Sequence, residues 1–474
     1  MSRPPPGRWR LLAPALLAWA ITAWAVTQPG TGWWVCVASV SCGVLALAFA
    51  LQRGRNRAAW RLLALSCAAL VVLGATINAG EWQRADPMLE EAAVRRADLG
   101  MQVTIVTFAA ETQGGFGERF WVRATVHAPR GDIPVLLWVD GETDARWVPG
   151  SRLELSGRPE RLEAGSAAAY GVTVADSDAA VPAAPRGAWS LAAGAGVVAS
   201  ELRLGLREAT SKLPGATLLP GFAVGDTSLV DEHLQNAMLE SSLTHLTAVS
   251  GANCALVTSS IMWVSSRLGA GRRVRRILAA AALTCFVYVV GPDPSVQRAA
   301  VMAAVVLISG YGGKRSQALP SLAVAILLLL ALDPWQALHP GFGLSVAATA
   351  GILLGVPALS AGLQKRLHIP RVLAVPIAMA LAAQIACGPL LLLLQPGIPA
   401  AGILANVLAA PAAPLGTGLG LLAMLLLPVA ESLGTLILHV AAVSARWVAA
   451  TAEICAQLPF ARWIWPEGWS GRLC

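Results

Sequence analysis

Runs of 15 to 25 residues with few or no charges recur along the chain, the length an α-helix needs to cross the hydrocarbon core of a bilayer. Three lie near the N-terminus, over about 11–26, 33–51 and 62–79. Eight more follow, over about 250–266, 277–291, 297–311, 318–332, 342–360, 372–394, 415–430 and 433–450. Between the two groups the period changes. MQVTIVTF, FWVRATVHA, PVLLWVDG, SRLELSG and YGVTVAD are short, β-branched and partly alternating, with Gly, Pro and Asp turns between them. That pattern predicts strands.

Four to six strands in so short a stretch predict a small closed barrel, of which an OB-like fold is the best-known case. The expected fold is an α-helical polytopic membrane protein with an inserted, external β-barrel. Its parts are N-terminal transmembrane helices over 1–80, the barrel over 90–180, and an amphipathic helix over 190–213. A membrane domain over 225–455 and an aromatic tail over 456–474 complete it. In the amphipathic helix Leu202, Leu206, Ala209 and Leu213 form a stripe suited to the membrane interface.

The stretch NAMLESSLTHLTAVSGANCALV, 236–257, concentrates polar residues ahead of an apolar helix. Read as a helix from Asp231, it lines Asn236, Glu240, Thr244 and Thr247 along one side, until Ser250-Gly251 breaks the pattern. Two readings stay open: a broken element lining a cavity, which bilayers tolerate only against protein or water, or a short external helix lying on the bundle.

Charge sets the orientation. Arg3, Arg8 and Arg10 precede the first span, and Arg53, Arg55, Arg57 and Arg61 follow the second. The positive-inside rule makes both cytoplasmic and puts the strand-rich region outside. The clusters at Arg267–Arg276, Lys314-Arg315 and Lys365–Arg371 fall on the same cytoplasmic side if the spans alternate. Apolar residues at 56% and charged residues at 13% mark an integral membrane protein. From Glu90 to Ala180, 9 arginines stand against 14 acids, a net charge near −5. An acidic surface gains nothing from counterion release on DNA, so a structural or gating barrel is the simpler expectation. None of the eight cysteines lies in that region, so no disulfide framework is expected.

Polar residues at membrane depth are the candidate chemistry. Asp293-Pro294 is a good helix start, and Arg298 follows it. Arg298 is positioned to hold an anion beside free N–H groups, to reach the outer surface, or to pair with Asp293. Asp333-Pro334-Trp335-Gln336 reads as a capping box. Gln384 and Asn406 are isolated amides near the breaks at Gly388-Pro389, Pro411 and Pro414. The histidines show no HxH or HExxH spacing and no Walker A sequence occurs, so no metal, cofactor or catalytic residue is expected. A Ser250/His245 nucleophile pair is weak geometry.

GDTSLVDEHLQNAMLESSLTHLTAVSGANCALV (225–257), PDPSVQRAAVMA (292–303), LALDPWQALHPGFGLSVAATAGILL (330–354) and ILANVLAAPAAPLGT (403–417) resemble the ComEC/Rec2 competence proteins. The layout resembles theirs too. The resemblance implies a channel that passes one strand of transforming DNA inward. A DNA receptor, a separate nuclease and a cytoplasmic helicase or ATPase are the implied partners, beside the bilayer itself. Many relatives carry a C-terminal metallo-β-lactamase-like domain, and no HxHxDH string occurs here, so this chain is not expected to be the enzyme. Many relatives have Gly where Ser242 stands. The channel candidates are Glu240, His245, Ser250, Asn253, Arg298, Gln384 and Asn406. Gly225, Asp226, Gly251, Asp293, Pro294, Asp333, Pro334, Pro411 and Pro414 shape the backbone. A transporter of another substrate, or an intramembrane hydrolase, are the alternatives. Oligomeric state is not legible.

Overall fold

The computed structural model describes residues 11–51, 57–111, 119–141, 146–177, 180–182, 188–309, 318–394, 397–459 and 461–463. The chain divides into two compact units, one of residues 1–200 and 314–339, the other of 201–313 and 340–474. Arg3, Arg8, Arg10, Arg53, Arg55, Lys314 and Arg315, used above for orientation, lie outside the described residues, as does the tail from 464 on.

In the first unit, α1 (Leu12–Thr27), α2 (Thr31–Leu51) and α3 (Arg57–Arg84) are apolar helices. On α2 the small residues Gly32, Ser39, Ala46 and Ala50 are buried, while Trp33, Trp34, Val44 and Leu45 are exposed. This is the inverse of a water-soluble helix: small residues let backbones approach, and large apolar ones face lipid. Next comes α4 (Pro87–Arg95), capped by Asp86, which accepts from Met88 N at 3.0 Å and Leu89 N at 3.3 Å. Residues 90–95, expected to open the strand region, are therefore helical, because Asp-Pro there starts a helix.

The barrel strands are β1 (Leu99–Ile105), β2 (Arg119–Ala128), β3 (Gly131–Asp140), β4 (Arg152–Arg161) and β5 (Tyr170–Val174). Their order is β1-β2-β3-β5-β4, and β4 pairs back to β1 to close the sheet. Only β3 and β5 run parallel; the order is that of an OB-like Greek-key barrel. Alternation drives it. Phe120, Val122, Ala124 and Val126 point inward opposite Val139, Leu137, Val135 and Ile133.

The barrel is stapled to its own helices. After α11 (Ala318–Leu332) a 3-10 turn, Pro334–Leu338, is capped by Asp333, which accepts from Trp335 N at 3.1 Å. Trp335 Nε1 donates to Ala164 O at 2.9 Å, and the Arg84 guanidinium lies 3.4 Å over the Trp335 ring. Arg84 also donates to Ser166 O and Ala167 O at 2.9 and 2.8 Å. Arg123 and His339 Nε2 lie 3.2 Å apart. A Cβ at position 80 would come within 2.5 Å of the Trp335 ring, so Gly80 is what lets the ring lie on α3.

The second unit holds α6 (Leu219–Val224), α7 (Glu232–Glu240), α8 (Gly251–Arg267), α9 (Arg272–Val290) and α10 (Pro294–Ser309). Then follow α12 (Pro340–Arg366), α13 (Arg371–Leu394), α14 (Gly402–Ala409), α15 (Ala413–Leu426) and α16 (Glu431–Ala456). Its core gathers Phe222, Leu234, Met238, Leu243, Ala405, Met424, Leu438 and Val448. The stripe of α5 (Ala188–Ser211) corrects an expectation. Leu206 is fully buried in this core, with Leu202, Ala209 and Leu213 packed against it, so protein and not lipid covers that face.

Among the described residues six helices are long and apolar enough to cross a membrane, one of them α8 taken together with the preceding turn as Thr244–Arg267. The pair α14 and α15, bent by 49°, makes a seventh if it counts as one span. Each of the eleven expected spans coincides with a helix over its described residues, although 310–311 lie outside them and α15 ends at Leu426 rather than 430. However, α1, α10 and α11 have 16, 16 and 15 residues, about 24 Å or less at 1.5 Å per residue against a core of about 30 Å. Helix α9 carries four arginines at its start. The protein is a multi-pass helical membrane protein with a separate OB-like barrel.

Candidate functional site

The helix expected to run from Asp231 through Thr247 stops at Glu240. Leu243 N donates to Met238 O at 2.8 Å and Ser242 N to Leu239 O at 3.2 Å, with Ser242 at φ +59°. These paired bonds are a Schellman stop, in which the left-handed residue is usually glycine. One 3-10 turn, Thr244–Leu246, follows. The face of Asn236, Glu240, Thr244 and Thr247 therefore does not form. Thr247 is buried, whereas Glu240, Thr244 and His245 are exposed.

The chain then restarts as α8, with Ser250 as its cap: Ser250 Oγ accepts from Ala252 N at 3.3 Å. Asn253 is buried and donates to Phe222 O at 3.2 Å, tying α8 to α6. Two sequence motifs meet at this restart, because Ser295 Oγ donates to Val249 O at 2.8 Å. Asp293 Oδ1 accepts from Ser295 N at 2.8 Å and lies 2.7 Å from Ser295 Oγ, sharing that hydroxyl's one proton with Val249 O, at the opening of α10 with Pro294 first in the helix.

Arg298 is buried at 6% exposure, so it neither reaches the surface nor pairs with Asp293. Its Nε donates to Ser345 Oγ on α12 at 2.8 Å and its Nη1 to Met302 Sδ at 3.2 Å. A Cβ at Gly251 would stand 3.6 Å from Arg298 Nη2 and 3.4 Å from Ala299 Cβ. The guanidinium thus adjoins the N-terminus of α8, not only the first turn of its own helix. Ser250, Gly251, Asn253 and Arg298 are brought together.

The remaining candidates are held locally. Gln384 Nε2 donates to Pro399 O at 2.8 Å, and Asn406 Nδ2 to Gly402 O at 2.7 Å. Gly225 ends α6 at φ +77°, and Asp226 Oδ1 accepts from Ser228 N at 3.0 Å. Pro411 lies in the bend before α15 and Pro414 in that helix's first turn. His245 Nδ1 lies 3.0 Å from Ser242 O, and no hydrogen bond joins His245 to Ser250. Among the described residues no group of three or more His, Cys, Asp or Glu side chains is placed to hold a metal ion. Near Thr244 and Thr247, a cavity of about 120 Å³ is lined also by Thr227, Val230, Gln235 and Met238.

Sequence reasoning missed Arg203. Lying outside the apolar stripe of α5, it donates to Val224 O, Val289 O and Val290 O at 2.8, 3.2 and 3.4 Å. It thereby serves the C-terminal ends of both α6 and α9, where a cation is favoured. Burial pulls its pKa down, opposed by the Asp226 carboxylate. Spacing carries no signal for this, since Arg203 sits among charged neighbours. Ser345 and Met302, apolar-segment residues, were equally silent.

A family model described as competence protein matches residues 222–473. ComE operon protein 3 of Bacillus subtilis (strain 168) is 28% identical over 137 residues, covering 29% of this chain and only 18% of that protein. No solved structure matches. The matched region exceeds half of the chain and contains the whole Ser250–Arg298–Ser345 arrangement: this chain belongs to the competence protein family.

Proposed function

We propose that this chain is an inner- or plasma-membrane channel through which single-stranded transforming DNA passes inward. The observation that carries the reading is the family match over 222–473, the region of the restarted helix α8 and the buried Arg298. A strand in transit needs a path with few cations, so that binding permits both entry and exit. One buried arginine, set by one hydroxyl and one thioether beside Gly251 and Ala299, suits that need.

In this reading the N-terminus is cytoplasmic and the barrel extracytoplasmic, following the arginine clusters. Glu240, His245 and Ser250 lie along the entrance and Arg298 deeper in; Gln384 stands within α13, which runs unbroken through Gly388-Pro389 where a break was expected, and Asn406 on α14 before the bend at Pro411. Asn253 acts through α8, which it positions. A receptor delivers DNA, a separate nuclease removes one strand, and a cytoplasmic helicase or ATPase pulls. The hydrolase alternative loses support, because its nucleophile and base share no hydrogen bond.

Deleting the coding sequence tests the proposal. The expected result is loss of uptake of labelled DNA into the cytoplasm with unchanged growth. Undiminished uptake would remove DNA as the cargo.

A further inference from the structure

Among the described residues Arg84, Arg203 and Arg298 are each held by acceptors of their own unit, and their surroundings differ. Arg84 has two carbonyl acceptors, a stacked indole and the nearby Asp333 carboxyl. Arg203 has three carbonyl oxygens at two helix C-termini. Arg298 has one hydroxyl and one thioether, a weak acceptor. Among the described residues no carboxylate forms an ion pair with it, and its Nη2 donates to nothing.

A buried cation without a counter-charge is costly, and its neighbour makes matters worse. The N-terminus of α8 is a positive dipole end, and Gly251, its first residue, offers an N–H with no intrahelical acceptor. Ala252 N and Asn253 N are already taken by Ser250 Oγ and Ser250 O. Gly251 leaves the space toward Nη2 open, where a Cβ would stand 3.6 Å from that nitrogen. Two positive features converge, and among the described residues no carboxylate pairs with the guanidinium.

We propose that Arg298 Nη2 and the α8 N-terminus at Gly251 form a buried phosphate-binding site, with Ser345 and Met302 setting the guanidinium. The guanidinium fork and a helix N-terminus both match phosphate oxygens. That the phosphate is a phosphodiester of the passing strand rests on the function proposed above. The phosphate chemistry itself does not.

The test uses the full chain in phosphatidylcholine nanodiscs, with fluorescent dT15 read by anisotropy across a salt series and inorganic phosphate as competitor. Arg298→Gln is expected to weaken dT15 binding by about ten-fold or more and to flatten the log–log salt slope by about 0.7, one single-strand phosphate. Arg298→Lys is expected to restore the slope in part. Gly251→Ala, which leaves every charge in place, is expected to weaken binding and phosphate competition together.

Unchanged affinity and slope in Arg298→Gln, with its thermal midpoint retained, would overturn the site. Binding of phosphate but not of dT15, dependent on Arg298, would uphold the site and overturn the strand as its ligand. Loss of dT15 binding when phosphatidylglycerol is added, only while Arg298 is present, would assign the site to a lipid headgroup and overturn the strand likewise.

Discussion

Ser242 sits at φ +59° as the left-handed residue of the stop after α7. A side chain there costs roughly 1–2 kcal/mol that glycine avoids, while glycine gives back about 0.5–1 kcal/mol of chain entropy. The Ser242→Gly variant is therefore expected to be more stable by about 0.5–1 kcal/mol, seen as a higher thermal midpoint in detergent. A lower midpoint would mean that the Ser242 side chain, packed at Gly402, contributes more than its backbone costs. Arg203 makes the opposite prediction. Replacing it with Met strips charged donors from carbonyls at two helix ends, a loss of about 2–3 kcal/mol. Unchanged thermal stability of Arg203→Met would contradict that role. The two residues also differ in legibility. Ser242 was visible as a departure from Gly in relatives, but only the observed turn shows which bond pattern wants glycine. Arg203 was hidden, because α5 carries cations on several sides and only tertiary packing selects which one turns inward.

Among elements, the turn Asp333–His339 has two roles in one string. Its capping was legible, since Asp before Pro starts a helical turn. Its use as a barrel anchor was not, because Ala164, Ser166 and Arg84 are far away in sequence. Trp335→Ala is expected to destabilise the first unit by about 3–5 kcal/mol. Faster hydrogen exchange should concentrate in residues 162–170, while residues 401–456 remain protected. Uniformly unchanged exchange in that variant would remove the staple. The five strands were legible for a simpler reason: inside and outside alternate along each, and the turns carry Gly, Pro or Asp. Helix α7 was overextended because its apolar period continues past Glu240, whereas a Schellman stop depends on backbone angles that periodicity does not report. The α5 stripe was correctly apolar and wrongly assigned to lipid, since a stripe looks alike whether protein or bilayer covers it.

At the scale of the whole molecule, two units share one chain, and the family match enters both, because residues 314–339 lie inside the matched span yet pack with the barrel unit. The apolar spans, the barrel and the family motif were all readable from composition, period and string. What period cannot convey is how two motifs meet, through Ser295 and Val249 46 residues apart, to set Arg298 against α8. The central claim is that a single DNA strand passes along this restart. The most direct measurement is single-cysteine labelling from 236 to 257 with a membrane-impermeant reagent, in a chain whose eight cysteines are replaced. Labelling is expected at Asn236, Glu240, Thr244 and Ala248, with silence at Ala237, Met238 and Leu243 and protection of the labelled set by single-stranded DNA. Labelling of those positions that single-stranded DNA leaves unchanged would contradict that claim.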